Sequence, residues 1–326
     1  MNKIIEDFAK VVLNGGTLNK DHATELCAAG LADGDDLLYW ANRIRTQFFA
    51  NKVKICSIIP GRIGGCDQDC AFCAQSAKYK THIEKTTILG DEEILDAARK
   101  AKQNGVPHIG IVYSGRSVSE KEFARVERLA GEISTKYGIK ACAGLGILDK
   151  EHMVRLARAG VARYNHNLET SRDHYGKIVS THVYDDRINT VLAAKEAGLG
   201  LCTGGIFGIG ENWSDRIDMA IELRGLEVDM APLNFLHPIP GTPMGNNKPL
   251  APKEILAIIA MYRFILPATH LKVAGGRIVN LRDLQSWVFY AGATSIMSGN
   301  YLTTAGRAVS EDLQMLADLG LEPENG

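Results

Sequence analysis

Three cysteines that fall within eight residues are the part of the sequence best suited to chemistry. Cys66, Cys70 and Cys73 follow two glycines and precede a polar segment. Thiolates are soft ligands that hold iron-sulfur clusters. Three thiolates on a four-iron cluster leave one iron free to bind another molecule, so the triad predicts a cluster with a binding site of its own.

Two other interpretations of this triad stay open. A structural zinc site is normally closed by four protein ligands, and no further cysteine or histidine follows the triad before His82. A disulfide framework is typical of small secreted domains, whereas this chain has 326 residues. The open iron-sulfur cluster is therefore the favoured hypothesis.

The segments that must position these cysteines alternate between short apolar runs and longer runs with helical periodicity. Several of the helical runs end at a glycine, as expected for helix C-caps. The predicted strands are 53–59, 108–113, 139–145, 162–166, 199–204, 230–236, 271–274 and 294–298. The predicted helices are 91–103, 119–136, 150–159, 184–197, 214–224, 252–264, 281–290 and 311–319.

These strand-helix units predict a single (β/α)8 TIM-type barrel of the α/β class over residues 51–326. Residues 1–50 predict a helical extension packed on the barrel. A doubly wound open sheet is the alternative, and its dinucleotide-binding form carries Gly-x-Gly-x-x-Gly after the first strand. In this chain that turn holds the cysteine triad, so the barrel is favoured.

The carboxyl ends of barrel strands form the active face of such folds. The polar side chains of this sequence fall there: the triad after the first strand, Asn165, Asn167 and Glu169 after the fourth, Asn234 at the sixth, and Thr303 and Thr304 after the eighth. We therefore expect these residues to gather at one mouth.

A second group of cysteines falls on alternate predicted strands. Cys56, Cys142 and Cys202 lie on strands one, three and five, and Lys272 lies on strand seven. Layers inside a barrel are built from alternate strands, so these residues could form one layer and hold a second cluster. Alternatively, the cysteines are plain core residues and the lysine points to solvent.

The composition is that of an ordinary soluble enzyme. The net charge of −1 gives no basic field for nucleic acid or anionic lipid, so a small-molecule substrate is expected. The N-terminus lacks the pattern of a signal peptide, and no apolar run is long enough to cross a membrane. We expect a cytoplasmic protein whose seven cysteines stay reduced.

The triad, with Phe72 before its last cysteine, resembles that of the radical S-adenosylmethionine enzymes. Four further segments are similar to the biotin synthase family of that superfamily, and the likeness extends from about residue 51 to residue 321. They are Tyr164-Asn165-His166-Asn167-Leu168-Glu169-Thr170, the run from Cys202 to Glu211, Pro232-Leu233-Asn234, and Tyr301-Leu302-Thr303-Thr304.

The resemblance implies a mechanism. The triad would hold a 4Fe-4S cluster that binds S-adenosylmethionine and cleaves it to a 5′-deoxyadenosyl radical. That radical would take hydrogen from dethiobiotin, and sulfur from a second cluster would close the ring of biotin. It also implies an external electron donor such as flavodoxin or ferredoxin, and a homodimer.

The resemblance also implies roles for individual residues. Phe72 and Ile206 would contact adenine, Glu169 the ribose, and Arg187 the carboxylate of S-adenosylmethionine, with Asn167 beside them; Arg187 could instead be a solvated helix residue. Asn165, Asn167 and Asn234 would contact the ureido ring of the substrate, and Thr303 and Thr304 its carboxylate tail. The asparagines could instead only cap strand ends.

The second cluster is where this sequence departs from the pattern of the family. That pattern is a 2Fe-2S cluster held by cysteines on strands two, three and five and an arginine on strand seven. Gly110 and Lys272 stand in place of the strand-two cysteine and the arginine, and Cys56 in place of a serine. We expect Cys56, Cys142 and Cys202 to hold an altered cluster, with four irons favoured over two.

Two other functions stay open. A related radical enzyme with the same barrel could act on another substrate, as amino-acid mutases and hydrogenase-maturation enzymes do. The chain could also be a non-catalytic iron-sulfur carrier.

Overall fold

The chain forms a closed parallel β-barrel surrounded by helices, in a computed structural model that describes residues 1–83, 85–301, 303–304 and 306–324. Leu302, which belongs to one of the segments that carry the resemblance, lies outside the described residues. The described strands are β1 (Lys52–Ile63), β2 (Thr87–Ile88), β3 (His108–Tyr113), β4 (Lys140–Gly144), β5 (Arg163–Asn165), β6 (Gly200–Cys202), β7 (Gly205–Phe207), β8 (Met230–Phe235), β9 (His270–Val273), β10 (Ser295–Met297) and β11 (Glu322–Pro323).

Strand pairing closes the barrel and confirms the predicted fold. The order is β1-β3-β4-β5-β6-β8-β9-β10, and β10 returns to pair with β1 in parallel. Each predicted strand corresponds to one strand of this barrel, and the fifth is interrupted between Cys202 and Gly205, where β7 continues beside β8. The short β2 and β11 pair with opposite ends of β1.

Helices cover the outside of the barrel and supply most of its packing. The described helices are α1 (Lys3–Leu13), α2 (Lys20–Ala32), α3 (Gly34–Phe49), α4 (Asp91–Gln103), α5 (Glu120–Tyr137), α6 (Lys150–Arg158), α7 (Arg172–Tyr175), α8 (Tyr184–Glu196), α9 (Trp213–Gly225), α10 (Pro252–Ile265), α11 (Arg277–Leu281), α12 (Trp287–Tyr290) and α13 (Val309–Asp318). In the N-terminal segment, α3 packs against α10 and α2 against α9. No helix in the described part of the chain is long and apolar enough to cross a membrane.

The helix predicted over 281–290 is wrong in detail. The structure has α11, a 3-10 turn over Arg282–Leu284, and α12 instead. Arg282 adopts a positive φ of 52°, a conformation that ends a right-handed helix. The helical spacing of apolar residues in this region therefore belongs to two short helices rather than to one.

The alternation of side chains along the strands divides the barrel interior into layers. Register partners on neighbouring strands point to the same side of the sheet. Reading around the barrel, Cys56 is level with His108, Gly110 with Cys142, Cys142 with Arg163, Asn165 with Cys202, and Lys272 with Ser295. The predicted second group of cysteines therefore faces the barrel interior.

A buried ion pair fixes α13 to α11 at the end of the chain. Arg277 and Asp312 are both fully buried, and Nη2 of Arg277 lies 2.7 Å from Oδ2 of Asp312. Removal of one partner leaves the other charge buried, which typically costs about 3–5 kcal/mol. We expect Arg277→Met to lower the apparent free energy of unfolding in urea by this amount.

The double variant Arg277→Met/Asp312→Leu should be more stable than either single variant, because neither charge is then left alone. The exposed Lys3–Asp7 pair at 2.8 Å is the control, and Lys3→Met should leave the unfolding curve unchanged. A double variant less stable than both single variants would contradict this account.

Candidate functional site

The cysteine triad lies in the loop that follows β1. Gly64 and Gly65 turn the chain with φ values of 75° and 65°, which glycine adopts without strain. The loop then folds on itself through two backbone hydrogen bonds. The amide of Cys73 donates to the carbonyl of Cys70 at 2.9 Å, and the amide of Cys66 donates to the carbonyl of Gln75 at 3.1 Å. All three cysteines are half-buried and line one cavity of about 470 Å³.

Burial disfavours the ionised form of two of the triad thiols. It raises the pKa of Cys70 to about 12 and that of Cys73 to about 11, so a bound cation is needed to hold these residues as thiolates at neutral pH. Within the described part of the chain, no three His, Cys, Asp or Glu side chains converge on a single ion. A cluster places each thiolate on a different iron, so the triad suits a cluster better than one zinc ion.

Disulfides do not form among the seven cysteines, which are all free. Cys27 lies in α2 and is buried in the hydrophobic core. Its placement agrees with plain core packing.

Asp69 anchors the cysteine loop to the segment before α8. Its carboxylate accepts hydrogen bonds from the backbone amides of Ser180 at 3.0 Å and Thr181 at 3.2 Å and from the Thr181 hydroxyl at 2.9 Å. Partial burial opposes ionisation, but these hydrogen bonds outweigh it and hold the pKa of Asp69 well below its usual range. The carboxylate therefore stays charged and fixes the loop.

A hydrogen-bonded chain links the cysteine loop to Arg187. Oε1 of Gln68 lies 2.9 Å from Nδ1 of His182, and Nη2 of Arg187 lies 3.0 Å from Nε2 of the same ring. Because the guanidinium can only donate, Nε2 accepts and Nδ1 carries the proton that is donated to Gln68. Burial and the charge of Arg187 lower the pKa of His182 to about 4, so the ring is neutral at pH 7.

Arg187 is buried, which excludes its interpretation as a solvated helix residue. Its guanidinium donates to the Tyr175 hydroxyl at 2.7 Å and to the Asn167 carbonyl at 2.9 Å, and lies 3.5 Å from Oε1 of Glu169. Burial raises the pKa of Glu169, and the charge of Arg187 opposes that shift. The pair presents a cation and an acid to the cavity.

The sequence did not single out Gln68, Asp69, Tyr175 or His182 as functional residues. Asp69 and Gln68 stand inside the triad loop, so their position was a usable signal. Tyr175 and His182 carry no such signal, because only the fold brings them to Arg187.

The remaining residues predicted for the mouth of the barrel line the same cavity. Among them are Phe72, Ile206, Asn165, Asn167, Glu169, Asn234, Thr303 and Thr304. Two asparagine side chains already bond the backbone: Asn234 donates to the Gly205 carbonyl at 3.0 Å and accepts from the Gly275 amide at 2.9 Å, and Asn167 accepts from the Gly204 amide at 3.2 Å. These contacts agree with strand-end capping and leave a contact with the substrate as a prediction.

The second group of cysteines meets in the barrel interior. Cys56, Cys142 and Cys202 are buried, and Cys56 and Cys202 pack together with Met230. Nζ of Lys272 lies 3.2 Å from Sγ of Cys202, so the lysine does not point to solvent. Burial lowers the pKa of Lys272, but negative charge on the neighbouring cysteine sulfurs outweighs it and raises the pKa overall, so a charged lysine suits thiolate ligands at this place.

One local feature fits a group bound between these thiols. A Cβ at Gly110 would come within 3.1 Å of Nδ2 of Asn165 and 3.3 Å of Cγ2 of Ile58, so the absence of a side chain at Gly110 leaves space beside Cys142. Soft donors and a nearby cation suit an anionic iron-sulfur cluster.

Comparisons of sequence find related proteins along nearly the whole chain. Residues 62–223 match the radical SAM superfamily, and residues 232–322 match the biotin and thiamin synthesis associated domain. A biotin synthase of Geobacter sulfurreducens is 45% identical over 97% of this chain and 96% of its own length. One of Heliobacterium modesticaldum is 43% identical over the full length of both chains.

Solved structures share the fold at lower identity. A methylornithine synthase superposes with a TM-score of 0.84 at 20% identity and covers 97% of both chains. An FeFe-hydrogenase maturase of Carboxydothermus hydrogenoformans gives 0.81 at 18% identity, over 98% of this chain and 79% of its own. At this level of identity, these likenesses show the fold alone.

Proposed function

The chain belongs to the biotin synthase family of radical S-adenosylmethionine enzymes, and on that premise we propose that it inserts sulfur into dethiobiotin to form biotin. One observation carries the proposal. A single cavity is lined by the triad, by Asn165, and by Cys202 and Lys272 of the barrel interior. A substrate in this cavity would lie between a radical source and a sulfur source.

The family implies a 4Fe-4S cluster and S-adenosylmethionine. When bound, they supply a carbon radical that removes hydrogen from the substrate. Cys66, Cys70 and Cys73 would hold the cluster, and Asp69 would keep their loop in place through its contacts with Ser180 and Thr181.

The residues around Arg187 would hold the second ligand. The guanidinium matches the carboxylate of S-adenosylmethionine, and Glu169 would accept from ribose hydroxyls. Phe72 and Ile206 would contact the adenine, with Asn167 beside them. The neutral ring of His182 would keep the guanidinium oriented without competing for the carboxylate.

The substrate would lie deeper, between Asn165, Asn167 and Asn234 on the ureido ring and Thr303 and Thr304 on the carboxylate tail. Apolar side chains and glycines line much of the cavity, which would exclude water from a reactive carbon radical.

The sulfur would come from an altered auxiliary cluster held by Cys56, Cys142 and Cys202. We favour a four-iron cluster whose fourth iron carries a non-protein ligand such as sulfide, since the described layer offers three thiols and Gly110 where a fourth would be. Lys272 would offset the negative charge of this cluster rather than ligate iron, because an ammonium group has no free electron pair.

The family needs a small-molecule substrate and an electron donor. Flavodoxin or ferredoxin as the donor, a homodimer, a cytoplasmic location, and the division into an extension (1–50) and a barrel (51–326) stay predictions.

An anaerobic assay tests the proposed function. The reconstituted protein is incubated with reductant, S-adenosylmethionine and dethiobiotin, and both 5′-deoxyadenosine and biotin are quantified. Biotin formation is the expected result. Deoxyadenosine without biotin would point to another substrate, and the absence of both products would favour an iron-sulfur carrier.

Arg187 offers a test of cofactor binding. We expect Arg187→Lys to weaken S-adenosylmethionine binding by about 10- to 100-fold, because a hydrogen bond to a charged group contributes about 1.5–3 kcal/mol and lysine lacks the guanidinium fork. Anaerobic calorimetry measures the Kd. Arg172→Lys is the control, because Arg172 is exposed and pairs with Asp185 at 2.7 Å. Equal affinity in the two variants would remove Arg187 from the site.

A further inference from the structure

Positively charged side chains lie beneath the cysteine layer, at the amino-terminal end of the barrel. Lys54 and Lys140 stand two residues before Cys56 and Cys142, so they share the inward face of their strands one layer lower. Arg163 is level with Cys142, and Lys272 is buried beside Cys202. We call Lys54, Lys140, Arg163 and Lys272 the cationic floor.

Arg163 crosses the interior of the barrel. Its Nη1 lies 3.2 Å from Nδ1 of His108 on β3, although β4 separates β3 from β5. A Cβ at Gly200 would come within 2.9 Å of Cγ of Arg163, so the absence of a side chain at Gly200 leaves room for the arginine. Its charge therefore lies inside the barrel, beside His108.

The neighbouring histidines do not add to or cancel this charge. Burial and the charge of Arg163 lower the pKa of His108 to about 3, and burial and Lys54 lower that of His270 to about 3. Both rings are neutral at pH 7. The positive charge of the floor thus belongs to its lysines and its arginine.

The carboxylates near the floor lie at its edge. Glu324 is 3.4 Å from Nζ of Lys54, and Asp229 accepts a hydrogen bond from the amide of Leu201 at 2.7 Å. Among the described residues, no carboxylate lies within 4.0 Å of Lys140, Arg163 or Lys272. The interior of the floor therefore has a net positive charge.

A buried hydroxyl faces the same space. Ser295 is fully buried, is level with both Lys54 and Lys272, and its Oγ has no hydrogen-bond partner among the described residues. A buried hydroxyl is normally paired, so an unpartnered one indicates a ligand or a water. Cations beside a hydroxyl donor suit a small anion.

Exposure decreases from solvent towards the thiols. Lys140 is exposed, Arg163 is half-buried and Lys272 is buried. The cations are therefore graded in exposure, from Lys140 at the outer surface to Lys272 beside Cys202. This end of the barrel lies opposite the mouth, where the substrate and S-adenosylmethionine would block passage.

We propose that the cationic floor binds hydrosulfide and delivers it to the auxiliary cysteines from the amino-terminal end of the barrel. The proposal rests on the proposed function, since a sulfur atom given to each product must be replaced before the next turnover. Hydrosulfide is small, anionic and a sulfur ligand for iron, as the floor and the thiols above it require. Delivery is non-covalent, so no bond is made or broken at the floor.

The test follows labelled sulfur into the protein. The holoenzyme is reconstituted anaerobically, its iron and acid-labile sulfide are measured, and turnover is started with 34S-labelled hydrosulfide in the medium. Mass spectrometry of the acid-labile sulfide gives the rate at which the protein takes up the label. We expect Lys140→Gln/Arg163→Gln to take up label about tenfold more slowly than the wild type, because charges of one sign lining a cleft raise the entry rate of an anion.

Two matched variants distinguish the loss of positive charge in the floor from a structural effect of the substitutions. Arg163→Lys keeps the charge and should take up label at nearly the wild-type rate. Lys121→Gln removes an exposed lysine on α5, on the outside of the barrel, and should have no effect. Uptake at the wild-type rate by the double variant, with both clusters fully occupied, would overturn the proposal.

A second measurement covers the case in which the double variant loses its auxiliary cluster. Salt screens the attraction between charges, so uptake by the wild type should slow as ionic strength rises. A rate independent of salt would overturn the floor as a route but leave the proposed function in place. A wild-type protein with iron for only one cluster would overturn the proposed auxiliary cluster and the route together.

Discussion

Replacement of Cys70 by alanine is expected to abolish reductive cleavage of S-adenosylmethionine, with deoxyadenosine and biotin both falling at least about 1000-fold. Changes to residues that only support a metal ligand already cost about 10- to 100-fold, so loss of one of three thiolate ligands should cost more. Cys70 is also the triad thiol beside Arg187 and Glu169, whose charges act on it. Its loss would therefore disturb cofactor binding as well as the cluster.

The measurement is deoxyadenosine and biotin per chain under anaerobic reduction, together with iron content. Cys27→Ala is the matched control, since Cys27 is a cysteine of α2 that is buried in the hydrophobic core of the protein. It should keep iron content and both products near wild-type levels. Deoxyadenosine at wild-type levels in Cys70→Ala would remove the triad from radical generation.

Replacement of Cys56 by alanine is expected to prevent biotin formation without preventing cleavage of S-adenosylmethionine. Biotin should fall at least about 1000-fold because the auxiliary cluster loses a ligand, while deoxyadenosine should still form at the intact triad. The iron content should fall by the amount that the second cluster contributes. This pattern differs from that in Cys70→Ala, where deoxyadenosine and biotin are both lost.

Iron and sulfide analysis with Mössbauer spectra of Cys56→Ala and Cys27→Ala tests whether Cys56 is a ligand of the auxiliary cluster. Both variants lose one buried thiol, but only Cys56 packs with Cys202 in the barrel interior. Unchanged auxiliary-cluster spectra in Cys56→Ala would contradict its role as a ligand. Loss of deoxyadenosine in the same variant would contradict the separation of the two sites.

The barrel could be predicted from the sequence because its strands are short apolar runs separated by amphipathic helices. The strand His108–Tyr113 and the helix Asp91–Gln103 have the predicted bounds. The prediction of one helix over 281–290 was wrong, because apolar spacing does not report the positive φ at Arg282. The spacing of apolar residues carries no information on a single backbone dihedral angle.

The candidate site could likewise be predicted from the sequence only in part. The parity of the strands predicted that Cys56, Cys142 and Cys202 would share the barrel interior, and the structure brings them together. Strand parity did not predict the contact between Arg163 and His108. β4 lies between their strands, and only the length of the arginine side chain bridges the gap. Side-chain reach across a barrel cannot be obtained from spacing along the chain.

The packing around Gly110 limits how a fourth thiol could be engineered into the auxiliary site. A cysteine placed there would bring its Cβ within 3.1 Å of Nδ2 of Asn165 and 3.3 Å of Cγ2 of Ile58, so these side chains would have to shift by a few tenths of an ångström. Asn165 also lines the candidate substrate cavity. Redesign of the auxiliary ligand set at Gly110 would therefore be coupled to the shape of that cavity.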